Sequence, residues 1–168
     1  AYWEGHGRYA RQDWRGAAEA FERQSRLTEE QAYRDRALFY LGACSEQLED
    51  WSRAEDAYSI LESESRDYEI SARAVSRLGQ IRLADNRPDE ALTAFNRLAF
   101  DFSGSEFSRD ADYWIAECQR RLGRDSSALD SYRNFLTGVY SSDYRSRALL
   151  EAARLSAAAG EDQEALAY

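Results

Sequence analysis

The sequence predicts an all-α fold: a right-handed α-solenoid of helix–turn–helix repeats with a period of 37 residues. Three observations carry this reading. Small residues recur in step, with Gly5, Gly42, Gly79, Ala116 and Ala153 in one register and Ala37, Ala74, Ala111 and Ala148 in another. A third register, Ala17, Ala54, Ala91, Ala128 and Ala165, is followed four residues later by Phe21, Tyr58, Phe95 and Tyr132, on the same helical face. Helix punctuation obeys the same step: Gly123 and Gly160 share a turn position, and Pro88, the one proline, falls in the register of Trp14 and Trp51. A fixed period of this size marks a repeat architecture.

Each unit consists of a helix A, a tight turn and a helix B. Unit 1 (1–34) places helix A over 2–11 and helix B over 14–26, with Asp13 as N-cap acceptor. Unit 2 (35–71) places them over 35–48 and 51–64, with Asp50 in the capping place. In unit 3 (72–108) they cover 72–84 and 88–99, Pro88 sitting in the first turn, where a missing N–H costs nothing. Unit 4 (109–145) has helices at 109–122 and 126–137; the partial unit 5 (146–168) has helix A at 146–159 and a helix B running to Tyr168. Thr28 with Gln31 and Ser52 with Glu55 match the spacing of capping boxes. The connectors end on Tyr33, Ile70, Phe107 and Tyr144, large residues that cover the gap between units. Small residues let paired helix axes approach, and the aromatic of helix B fills the space toward the next unit. No unit buries its face alone, so stability comes from neighbour interfaces.

Composition narrows the function. Hydrophobic content is 43% and charged content 32%, enough to bury a core, and no apolar run is long enough for a membrane helix. The net charge of −9 argues against nucleic acid, whose binding rests on basic surface. All 22 basic residues are arginine. With no methionine, the chain is expected to begin after a removed segment or to be part of a longer protein. Cys44 and Cys118 lie two periods apart (118 − 44 = 74), too far for a disulfide across stacked repeats, so both read as small packing residues.

The pairs Leu41-Gly42, Leu78-Gly79 and Ile115-Ala116, with Trp51 before Ala54 and Tyr58 after it, resemble the tetratricopeptide repeat over nearly the whole chain. Two features depart from that pattern: a period of 37 in place of about 34, and no proline after helix B. The longer unit, and Ala111-Asp112-Tyr113-Trp114-Ile115-Ala116-Glu117 in particular, is similar to bacterial cell-envelope members: the Tol–Pal-associated periplasmic repeat protein and the repeat lipoprotein of outer-membrane barrel assembly. That narrower resemblance implies a periplasmic or envelope setting, with the cytoplasm as the alternative.

The resemblance also implies that the outer face of the A helices lines a concave, peptide-binding groove. At 100° per residue, helix A of unit 2 turns Arg36 and Tyr40 to that face, with Phe39 on its flank. Stepping by the period adds Trp3 and His6, then Arg73, Arg77 and Gln80, then Tyr113, Trp114 and Glu117, then Arg147 and Arg154. Six arginines (36, 73, 77, 121, 147, 154) face three acids (110, 117, 151), a locally basic groove. Aromatic and Arg side chains are the enriched anchors of interfaces, and Arg grips a carboxylate with two donors. The expected partner is an extended or helical protein segment carrying acidic groups or a free C-terminus. The alternative at these positions is internal: Arg73, Asp110 and Arg147 forming an ion-pair ladder, and the aromatics closing the superhelix or packing on another chain. A self-assembling structural component is the second functional reading. Catalysis is not expected: His6 is the lone histidine, and the sequence has no metal-spaced Cys/His cluster and no glycine-rich phosphate loop. No cofactor is expected.

Overall fold

The computed structural model describes residues 2–138 and 142–160, and not the side chain of Tyr2. Two compact units are present, Ala1–Ile81 and Arg82–Tyr168. The described residues form α-helices and one 3₁₀ turn, with no strand.

In the first unit the helices are α1 (Tyr2–Ala10), α2 (Trp14–Leu27), α3 (Gln31–Gln47), α4 (Trp51–Glu64) and α5 (Tyr68–Ala84), the last crossing the unit boundary. In the second they are α6 (Pro88–Asp101), a 3₁₀ turn (Glu106–Asp110), α7 (Ala111–Arg121), α8 (Asp125–Thr137) and α9 (Arg145–Ala158). In the first unit α1 packs on α2, α2 on α3 and α3 on α4; in the second α6 packs on α7, α7 on α8 and α8 on α9. The expected fifth helix B, with Ala165, lies outside the described residues.

The 37-residue step is written into the backbone. Residues 12, 49, 86, 123 and 160 all take positive φ, between 57° and 80°, although only the last two are glycine. One residue further on, the N–H of Asp13, Asp50, Arg87 and Arg124 reaches back to the carbonyl of Arg8, Ser45, Arg82 and Gln119, at 2.8–3.0 Å. A left-handed residue with such a back-bond closes the orphan carbonyls of a helix end. Asp13 and Asp50 then cap the following helices, accepting from the N–H of Gly16 and Arg53.

Two expectations on helix starts are corrected. Helices α3 and α5 begin four residues early, so Tyr33 and Ile70 sit inside helices and not in connectors. For α5 the cause is Asp67, whose Oδ1 accepts from the N–H of both Glu69 and Ile70. The capping boxes are absent: Thr28 closes the end of α2, and Ser52 lies inside a helix that Asp50 caps.

The small-residue registers are packing sites. Ala17, Ala54, Ala91 and Ala128 are fully buried, as are Phe21, Tyr58, Phe95 and Tyr132. A Cβ on Gly42 would stand 2.6 Å from the Tyr58 ring, and one on Gly5 2.7 Å from Phe21. Cys44 and Cys118 are free thiols in these cores. Burial pushes them up to about 11 and about 12, so both stay protonated at neutral pH.

Candidate functional site: the outer face of the A helices

The face expected to bind is open only in part. In the first unit Arg36 is exposed, and its side chain makes no hydrogen bond or ion pair among the described residues. Arg73, in the same register on α5, is also exposed, and its Cζ lies 4.1 Å over the ring of Phe39. Phe39 itself is 9% exposed and offers little more than its edge. Tyr40 is half-buried, stacked on Phe21 with centroids 5.1 Å apart and planes at 18°. His6 at 4.5 Å, Tyr9 at 5.4 Å and Phe39 at 6.0 Å also meet it edge-on. Burial lowers the pKa of His6. Trp3, by contrast, is 83% exposed.

Arg77 is committed to the protein. Its Nε donates to Glu46 Oε1 at 2.9 Å, its Nη2 to Glu46 Oε2, and its Nη1 to Gln80 Oε1. The same Glu46 accepts the hydroxyl of buried Tyr58 at 2.7 Å. Glu46 lies off the predicted face, so its neutralisation of Arg77 is not visible from the register alone.

The second unit departs further from expectation. Tyr113 is 1% exposed, packed face to face on Tyr144 at 4.6 Å. Burial pushes its phenol up to about 12. Glu117 is also buried; it accepts the Tyr132 hydroxyl and pairs with Arg120 at 3.1 Å. Burial, with that hydrogen bond, raises the pKa of Tyr132. Neither Tyr113 nor Glu117 therefore stands on an open surface. Trp114 is half-buried, stacked on Phe95 at 5.6 Å and 9°. Arg147 and Arg154 are exposed, Arg154 pairing with Glu151 at 2.9 Å. Arg121 donates to the Leu83 carbonyl. Asp110 accepts from Ser142 at 2.7 Å and makes no pair with Arg147. The excess of arginine is thus smaller than the count suggested, because Arg77, Arg121 and Arg154 are engaged.

One concavity went unseen in the sequence. A cleft of about 650 Å³ lies between α2, α3 and α4, floored by Leu38, Leu41, Ala57 and Ile60. On its rim Arg26 and Arg53 both pair with Glu22. Among the described residues no group of three or more His, Cys, Asp or Glu could hold a metal, and no helix is long and apolar enough to cross a membrane.

Residues 110–137 match the family model of the tetratricopeptide repeat. No curated protein matches the chain. Among solved structures, a MamA crystal structure superposes with TM-score 0.80 at 18% identity, over 98% of this chain and 89% of that one. A putative kinesin light chain from Podosopora anserina, with nearly identical repeats of this type, gives 0.70 at 16%, over 98% and 87%. The Rap conjugation gene regulator of plasmid pLS20, in complex with the Phr* peptide, gives 0.63 at 13%, over 97% of this chain and 48% of that one. The chain is an all-α solenoid like the repeat structures it superposes on, and the tetratricopeptide-repeat model matches it at 110–137.

Proposed function

We propose that this chain is a non-catalytic interaction scaffold that binds a partner polypeptide on the outer face of its A helices. Arg36 and Arg73 would receive the partner's carboxylates. One observation carries the reading: these arginines share a register on α3 and α5, both are exposed, and Arg36 makes no ion pair among the described residues. Half-buried Tyr40 beside them gives some apolar surface, and Arg73 is already held over the Phe39 ring, which lowers the entropy lost on gripping an anion. That the pLS20 Rap regulator, a protein of this fold, holds a peptide supports the same use of the fold here. The envelope-type sequence at 111–117 supports a periplasmic, envelope-associated setting.

The test is a panel of fluorescein-labelled peptides with acidic C-terminal residues, each made with a free and with an amidated C-terminus. Acidic peptides should bind, less tightly as salt rises. Arg36→Glu with Arg73→Glu should weaken binding by at least about tenfold, the loss of one charge-assisted pair. Unchanged affinity in that double variant removes the groove reading.

A further inference from the structure

Helices α2 and α4 both pack on α3, and the cleft lies between them. Ser25 of α2 and Ala57 of α4 line it with side chains too short to fill it, so it stays open above Leu38 and Leu41 of α3. The Ser25 hydroxyl donates back to the Glu22 carbonyl at 2.8 Å, which leaves that wall without a spare donor.

The charges stand on the rim, and they divide by sign. All three arginines there are engaged: Arg26 and Arg53 on Glu22, and Arg34 on Glu64 at 2.8 Å. The two remaining acids are not. Glu29 lies in the connector after α2, and Asp56 lies one turn before Ile60 on the same side of α4. Both are exposed, and neither side chain makes a hydrogen bond or ion pair among the described residues. The repeat does not require either acid, since one period on (29 + 37 and 56 + 37) the residues are Arg66 and Thr93. An apolar floor beneath two carboxylates with no counter-charge fits a ligand that is apolar at its centre and cationic at its edges. The net charge of −9 attracts such a ligand from a distance.

We propose that this cleft docks a short basic segment of a partner protein, which lays one large apolar side chain on Leu38, Leu41 and Ile60 and brings arginine or lysine to Glu29 and Asp56. Carboxylates on two different elements suit two cations flanking the apolar residue, which a peptide supplies. Leu38 and Leu41 lie on the opposite side of α3 from Arg36, so the surface is separate from the one offered to an acidic partner.

The probe is a panel of amidated, fluorescein-labelled pentapeptides Gly-Arg-X-Arg-Gly, with X as Leu, Ile, Phe, Trp or Gly, titrated into the chain by anisotropy and competed with unlabelled peptide. At least one apolar member should bind, more weakly as salt rises. It should bind at least about tenfold more tightly than the glycine member, the worth of one buried large side chain. Glu29→Gln with Asp56→Asn should weaken it about three- to tenfold, as two exposed ion pairs are lost. Glu106→Gln with Asp143→Asn, which removes the same charge from the other unit, should change nothing, and Arg36→Glu with Arg73→Glu should not weaken binding. Acidic peptides should keep their affinity in Glu29→Gln with Asp56→Asn, so the two surfaces fail separately. The assignment is overturned if no apolar member binds, if the glycine member binds equally, or if Glu29→Gln with Asp56→Asn has no effect. An equal loss in both paired neutralisations would mean that overall charge alone holds the peptide, and would overturn it too.

Discussion

Two glycines on A helices separate the packing argument from helix propensity. Gly42 and Gly7 both lie inside helices, α3 and α1, where alanine is intrinsically favoured by about 1 kcal/mol. Their surroundings are opposite. At Gly42 an added Cβ would stand 2.6 Å from two Tyr58 ring carbons, against ordinary contact from 3.4 Å, so something must move by 0.8 Å (3.4 − 2.6). Tyr58 has nowhere to go: it is fully buried, with its hydroxyl held by Glu46. Overpacking of this kind costs about 1–3 kcal/mol, so Gly42→Ala should be destabilising by about 1–2 kcal/mol net of the propensity gain. At Gly7 the space is open, so Gly7→Ala should stabilise by about 0.5–1 kcal/mol. In a chain of this size the two variants should move Tm in opposite directions, by about 2–4 °C per kcal/mol. Thermal unfolding followed by circular dichroism reads both. If Gly42→Ala raises Tm alongside Gly7→Ala, the close approach of α3 to α4 is not what fixes this register.

Three other expectations follow from the same structure. At the positive-φ register, Glu49→Gly should stabilise and Gly123→Ala destabilise, each by about 1 kcal/mol, read as opposite shifts in urea midpoint. Cys44 and Cys118, raised to about 11 and about 12, should react with iodoacetamide at pH 8 only as fast as the protein opens, so mild denaturant should accelerate labelling steeply. Burial depresses the pKa of His6 below its ordinary 6.5, so the unfolded chain binds more protons in that window. His6 should therefore favour folding fully above about pH 6.5 and less as pH falls below it. His6→Gln should shrink the drop in Tm between pH 7.5 and 5.5; an unchanged drop would clear His6 of that role.

The fold was legible because its determinants are periodic and local. Alanine, glycine and the helix-B aromatics repeat at one step, and Asp13, Asp50 and Pro88 mark helix starts by chemistry that needs no tertiary context. The early start of α5 was equally local, in Asp67, but fell where the period suggested a connector. Three left-handed turn residues were hidden because Gln12, Glu49 and Asn86 do not announce positive φ as Gly123 and Gly160 do.

The binding face was less legible, because register says where a Cβ points and not where a long side chain ends. Glu46 and Glu117 occupy different positions in the repeat, 46 and 43 (117 − 74) when stepped onto the same unit, yet each reaches a buried helix-B tyrosine and an arginine. A buried phenol without an acceptor is costly, so whichever glutamate lies within reach is drawn inward. That withdraws Arg77 and Glu117 from the surface the period assigned to them. Phenylalanine makes no such demand, and where it occupies the register the next helix A meets it with a ring. Position along the repeat therefore fixes which helices meet, while one hydroxyl on helix B decides whether their junction is aromatic or ionic, and so which charges remain outside for a partner.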